Sequence, residues 1–209
     1  IDNKRSRLVL LAKNNAGYKN LLKLVTYSQL EGFYYKPRVD KELLEKHSDG
    51  LVAIIPSFSG ETTSAIKEKD EQKAKEKLEW YKKTFGEENV FLEITHHPEI
   101  AGHQEVQEKI KELASATETP LVAAHDVYYM KPEDRKTRAT VMKIQTNSDF
   151  GGQNDDNEDF SFINQKLAEK YFKDTPEALE NTIRIADMCN VELELGKWVF
   201  PDLKVESGL

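Results

Sequence analysis

The chain has 209 residues, of which 38% are hydrophobic and 32% charged, and a formal net charge of −7. That balance fits one large soluble domain with an adequate core, or most of one with an appendage. The acidic excess argues against a surface that binds nucleic acid throughout.

No apolar run approaches the roughly 18 residues of a membrane span. The early LVLLA patch is shorter than the ~7–15 residues of a signal-peptide core. Ile1 stands where an initiator Met would, which reads as a cut from inside a longer chain. The single cysteine, Cys189, excludes an internal disulfide and a thiolate-rich zinc site. A reducing, cytoplasmic setting fits that usage.

In chain order, RLVLLAK (7–13) is a continuous apolar run, the pattern of a strand buried on both faces. A helix over 16–29 follows, with Leu21, Leu22, Leu24 and Val25 expected on its inner stripe. GFYYKPRVD contains Gly32 and Pro37 and reads as a loop, after which Asp40 caps the short helix KELLEKH. LVAIIP (51–56) is a second buried strand. Long helical material follows from Ser59-Gly60 to Phe85-Gly86, and its mixed-charge stretch at 67–83 reads as a solvated face laced with i,i+4 pairs.

VFLEIT (90–95) is a third strand, a helix spans about 101–117 with Val106, Ile110 and Leu113 inward, and LVAA (121–124) is a fourth strand. A helix then starts at Lys131 with Pro132 at its first position, where the missing N–H costs nothing. This alternation predicts an α/β fold with parallel strands and crossover helices, open or closed into a barrel. Beyond Ile144, DFGGQNDDNEDF (149–160) reads as an exposed loop without EF-hand spacing. Two helices follow, the second capped by Thr175, opened by Pro176 and lined inward by Leu179, Ile183 and Ala186. The tail VELELGKWVFPDLKV reads as extended.

In parallel α/β folds ligands bind beyond the C-terminal strand ends. The polar residues there are Lys13, Asn14, Ser57, Glu93, His96, His97, His125 and Asp126, with His103 a few residues on. Imidazoles and carboxylates could hold zinc or manganese and activate water against a phosphoester. Strand alternation would let one of His96 and His97, and one of His125 and Asp126, face a shared site. A surface pair in a turn before Pro98 is the plainer reading of the first two. Ser57 has no adjacent His and no G-x-S-x-G, and no glycine-rich phosphate loop occurs. The loop FYYKPR sets aromatics beside Lys36 and Arg38, a combination able to grip a phosphate or a nucleic-acid backbone. Aromatics that anchor a packed turn are the simpler expectation there.

Four blocks carry a family resemblance: RLVLLAKNNAGYKNLLKL, EGFYYKPRVDKELLEKHSDGLVAI, TPLVAAHDVYYMKPEDRKTRATVMKIQT and TPEALENTIRIADMCNVEL. In order and spacing they resemble the polymerase-and-histidinol-phosphatase (PHP) domain of bacterial DNA polymerase III alpha subunits. The resemblance implies a distorted (β/α)7 barrel whose metal ligands converge at its C-terminal mouth, with only the later part of the barrel present. The division it suggests is barrel over 1–145, a loop and helical extension over 146–195, and a linker toward a polymerase domain over 196–209.

The resemblance also implies a degenerate metal centre. Arg7 stands where the family usually has His, Ser57 where Cys is common, and Tyr128 where His is usual. Asp126 alone keeps its ligand type. A fixed guanidinium at Arg7 would repel a metal and is expected to pair with Asp126. No cofactor is then expected, magnesium belonging to a polymerase domain elsewhere in a parent chain. The implied role is a brace and a docking surface, with a proofreading exonuclease as partner and DNA reached through the parent enzyme. The alternative is a zinc or manganese phosphoesterase or 3′–5′ exonuclease using Asp126 and His97.

Overall fold

The apolar runs become one sheet, with strands β1 (Val9–Ala12), β2 (Leu51–Ile55), β3 (Val90–Ile94) and β4 (Leu121–Ala123) in the order β1-β2-β3-β4. The computed structural model describes residues 5–146, 159–198 and 200. The helices are α1 (Asn15–Leu30), α2 (Lys41–Lys46), α3 (Glu61–Lys67), α4 (Glu71–Phe85), α5 (His103–Ala116), α6 (Arg135–Thr146), α7 (Gln165–Tyr171) and α8 (Pro176–Met188). The expected 149–160 loop lies almost wholly outside the described residues, as does most of the proposed linker.

β2, β3 and β4 pair in parallel, joined by helical crossovers as the alternation predicts. β1 departs from that expectation. It runs antiparallel to β2, with Val9 opposite Ile54 and Ala12 opposite Leu51. It is also not buried on both faces, since it is an edge strand and Val9 is 40% exposed. The connection explains the direction. α1 leaves β1 beside the start of β2, where the Lys13 N–H donates to the Gly50 carbonyl, and the chain returns through α2 to that same end.

Gly17 on α1 lies against Gly50, and a Cβ at residue 17 would sit 1.9 Å from the Gly50 carbonyl oxygen. Gly50 itself has φ +71°, a conformation other residues rarely adopt. The pair of glycines lets helix and turn touch, which seats α1 on the sheet.

Pleat alternation divides the core. Leu51, Ala53, Ile55, Val90, Leu92, Ile94 and Leu121 pack with Leu78 and Tyr81 of α4 and Ile110 of α5. Val52, Phe91 and Val122 meet Ile185 of α8 on the other face.

The expected α5 stripe is right: Ile110 and Leu113 are buried and Val106 packs against them. Of the four residues expected on the inner stripe of α1, Leu24 is buried and Leu21 packed, while Leu22 and Val25 face solvent. In α8 the inward residues are Ala178, Leu179 and Ile185, while Ile183 and Ala186, expected on that stripe, are exposed. Thr175 occupies the N-cap of α8 without a side-chain capping bond. The long helical stretch of 59–86 breaks into α3 and α4, because Lys69 takes a left-handed φ of 60° and Asp70 caps α4 through Lys73 N–H.

Candidate functional site

The C-terminal ends of β2, β3 and β4 bring together most of the polar residues expected there. Ser57, just beyond β2, is 1% exposed. Its N–H donates to Glu93 Oε1 at 2.9 Å, and its Oγ reaches the same oxygen at 3.1 Å. Ser57 Oγ also shares a 2.9 Å hydrogen bond with Thr95 Oγ1. Thr95 connects onward: its hydroxyl lies 3.3 Å from His103 Nε2, and its N–H donates to Gln107 Oε1. A polar network therefore runs from β2 through β3 to the first turn of α5.

Burial pushes the Glu93 carboxyl above its ordinary range, opposed by the two Ser57 hydrogen bonds and assisted by repulsion from Asp126. Burial likewise lowers the basicity of His96, His103 and His125, and in each His97 adds repulsion.

A second layer is aromatic. The His97 and His125 rings stack at 5.4 Å with 14° between planes, flanked by Phe160 at 5.1 Å from His97 and by Phe58 at 5.7 Å. His97 is 1% exposed; its Nδ1 lies 3.1 Å from Glu99 Oε1. His97 Nε2 is buried without a hydrogen-bond partner, as is His125 Nδ1, and Asp126 Oδ2 is 4.0 Å from that Nε2. His96 turns away and stacks on Tyr171 at 4.2 Å.

The alternation argument therefore holds for His96 and His97 and fails for His125 and Asp126, both of which reach His97. The reason is local: β4 ends at Ala123, and the backbone beyond it is no longer a pleated strand.

The remaining expected positions separate. Arg7 is exposed, and its N–H donates to the Ser59 carbonyl. The antiparallel direction of β1 is what carries it to this end of the sheet. Arg7 forms no ion pair with Asp126, so that expected contact is absent. Tyr128 lies against Phe160 with ring centroids 5.0 Å apart and planes tilted by 59°, and the Arg138 guanidinium is 4.3 Å over its ring. Lys36 and Arg38 lie in the exposed α1–α2 loop.

Among the described residues no group of three or more His, Cys, Asp or Glu side chains is arranged to hold a metal ion. A cavity of about 620 Å³ lies at the opposite end of the sheet, against Leu121 at the start of β4, away from these groups.

Sequence reasoning missed Thr95, Glu99, Gln107, Phe160 and Tyr171. Thr95 was legible as the i+2 neighbour of Glu93. Phe160 and Tyr171 reach the site only through the fold of the C-terminal third.

Comparison with known proteins joins this geometry to a family. Residues 1–97 match the PHP domain. That stretch of the chain is similar to PHP domains. The chain is 39% identical over 88% of its length to the DNA polymerase III subunit alpha of Borreliella burgdorferi, covering 16% of that protein. It is 33% identical over 89% of its length to the subunit of Treponema pallidum, again 16% of the relative. With the subunit of Deinococcus radiodurans it shares 32% identity over 96% of its length. The chain spans about a sixth of the length of these relatives. A PHP-type (β/α) barrel accounts for parallel β2–β4 with their crossover helices and for convergence of polar residues at one mouth. No described helix is long and apolar enough to cross a membrane.

Proposed function

We propose that this chain is the PHP part of a bacterial replicative DNA polymerase III alpha subunit whose PHP metal centre has been converted into a structural network. The observation that carries the reading is Ser57. At the family position where Cys is common, its Oγ and N–H are both committed to Glu93 and Thr95. Tyr128, at a usual His position, is held between Phe160 and Arg138. The donors at these positions do not fit a metal, and no hydrolytic step is assigned to them.

The domain then works mechanically. A buried polar network fixes the relation of β2, β3 and α5, and the domain braces a polymerase domain of the same parent chain in the cytoplasm. Nucleotide transfer, its magnesium and DNA contact at the primer end belong in this reading to the rest of such a parent. A separate proofreading exonuclease is the partner the brace would seat.

The competing reading is a zinc or manganese phosphoesterase or 3′–5′ exonuclease. It has one observation behind it: the unpartnered, buried His97 Nε2 facing Asp126. Elemental analysis separates the two. The purified chain, incubated with zinc or manganese and dialysed, is expected to retain far less than one metal per chain. One metal per chain, lost in His97→Ala and Asp126→Ala, would overturn the brace reading.

A further inference from the structure

The loop between α1 and α2 does not behave as a packed turn. Its three successive aromatics, Phe33, Tyr34 and Tyr35, are 57%, 62% and 83% exposed. Aromatics that anchor a turn bury most of their surface, and these leave it in water.

The loop is nevertheless fixed in shape. Its neck is closed where Gly32 meets Arg38: a Cβ on Gly32 would stand 2.0 Å from the Arg38 carbonyl oxygen. At the tip the Tyr34 N–H donates to the Lys36 carbonyl at 3.2 Å, and Tyr35 between them takes a left-handed φ of 60°. That conformation is unfavourable for a bulky aromatic and persists only where the surroundings impose it.

The charge is equally specific. Lys36 and Arg38 are the only charged residues from 33 to 39. Neither side chain makes a hydrogen bond or ion pair among the described residues; Arg38 instead lies 4.8 Å over the Tyr34 ring. Tyr34 and Tyr35 meet edge to face at 4.6 Å, so each offers a ring face at a different angle. The loop also stands at the mouth end of the sheet. Lys41, just past the loop, pairs at 3.2 Å with Glu61, which opens α3 directly after the Ser57–Gly60 turn.

Exposed aromatic rings interleaved with cations that make no ion pair, on a loop closed at its neck, are the chemistry that holds a single nucleic-acid strand, since every base has a face to stack and every linkage a phosphate. We propose that this loop is a platform for single-stranded DNA, with Tyr34 and Tyr35 stacking bases and Lys36 and Arg38 holding the flanking phosphates. The choice of DNA rests on the replicative reading above; the platform geometry does not. It also differs from the general acidity of the chain, which leaves this loop as a local exception.

The test is fluorescence anisotropy of a labelled deoxythymidine oligonucleotide of about 12 nucleotides with the 209-residue chain at low salt. Binding is expected to weaken on the order of tenfold in Tyr35→Ala. In Lys36→Ala the slope of log affinity against log salt is expected to fall by about 0.7. Circular dichroism of both variants should match the parent chain, because the substituted side chains are exposed. No oligonucleotide binding by the parent chain, equal binding by the variants, or a preference for duplex of the same length would each overturn the platform and point to a protein contact. None of those results bears on metal content, so the brace reading stands or falls separately.

Discussion

Ser57 and Glu93 are joined twice: the backbone N–H and the hydroxyl of Ser57 both reach Glu93 Oε1, at 2.9 and 3.1 Å. The contact bridges two neighbouring parallel strands just beyond the end of the β2–β3 ladder, where backbone pairing has stopped. In the reading proposed above, the same pair of residues that closes this end of the sheet also stands where a PHP barrel would gather metal ligands.

Ser57→Ala removes the hydroxyl and leaves Thr95 Oγ1 and Glu93 Oε1 each short of a partner in a buried place. A loss of about 1–3 kcal/mol is expected for unsatisfying such groups. Urea denaturation at neutral pH should show a lower midpoint with an unchanged slope. Ser57→Thr, which keeps the hydroxyl, should recover part of the loss. A Ser57→Ala midpoint equal to that of the parent chain would mean the network is ornamental.

The raised Glu93 pKa sets a pH dependence whose sign can be worked out. Above the ordinary value of 4.5 the unfolded chain has released this proton while the folded chain still holds it. The folded state then binds more protons, so stability falls as pH rises from 4.5 through the raised folded value. Glu93→Gln cannot titrate but retains an acceptor for Ser57. The stability of the parent chain relative to Glu93→Gln should therefore decline between pH 4.5 and 7, read from urea midpoints at a series of pH values. A difference that stays flat across that window would remove Glu93 from the account.

Gly17→Ala tests what seats α1. Alanine is ordinarily the better helix former, so an isolated helix would gain. Here its Cβ would meet the Gly50 carbonyl at 1.9 Å, and either α1 or the 48–50 turn must shift. A loss of about 1–3 kcal/mol is expected from such overpacking. An increase in melting temperature would show that the close approach is not required.

The elements were legible because they depend on local pattern. Four apolar runs gave four strands, and Asp40 and Pro176 marked helix starts that the structure keeps. The likeness to PHP domains was legible as well, since it rests on residue identity in ordered blocks. Sequence also supplied nearly all the residues at the strand ends, because those ends follow directly from the strands.

What residues do with one another depended on direction and distance. Nothing in RLVLLAK says that β1 runs antiparallel, yet that direction alone puts Arg7 at the mouth. The apolar residues of α1 outnumber those its stripe can bury, so Leu22 and Val25 were misread. The Arg7–Asp126 pair failed because sharing an end of a sheet does not bring two side chains into contact. Ser57 read as a bare substitution until Glu93 and Thr95, 36 and 38 residues away in sequence, were found on its hydroxyl. FYYKPR read as a packed turn until its aromatics proved to face water. Periodicity encodes which residues are apolar and how often, and burial is decided by which neighbours the chain brings to cover them.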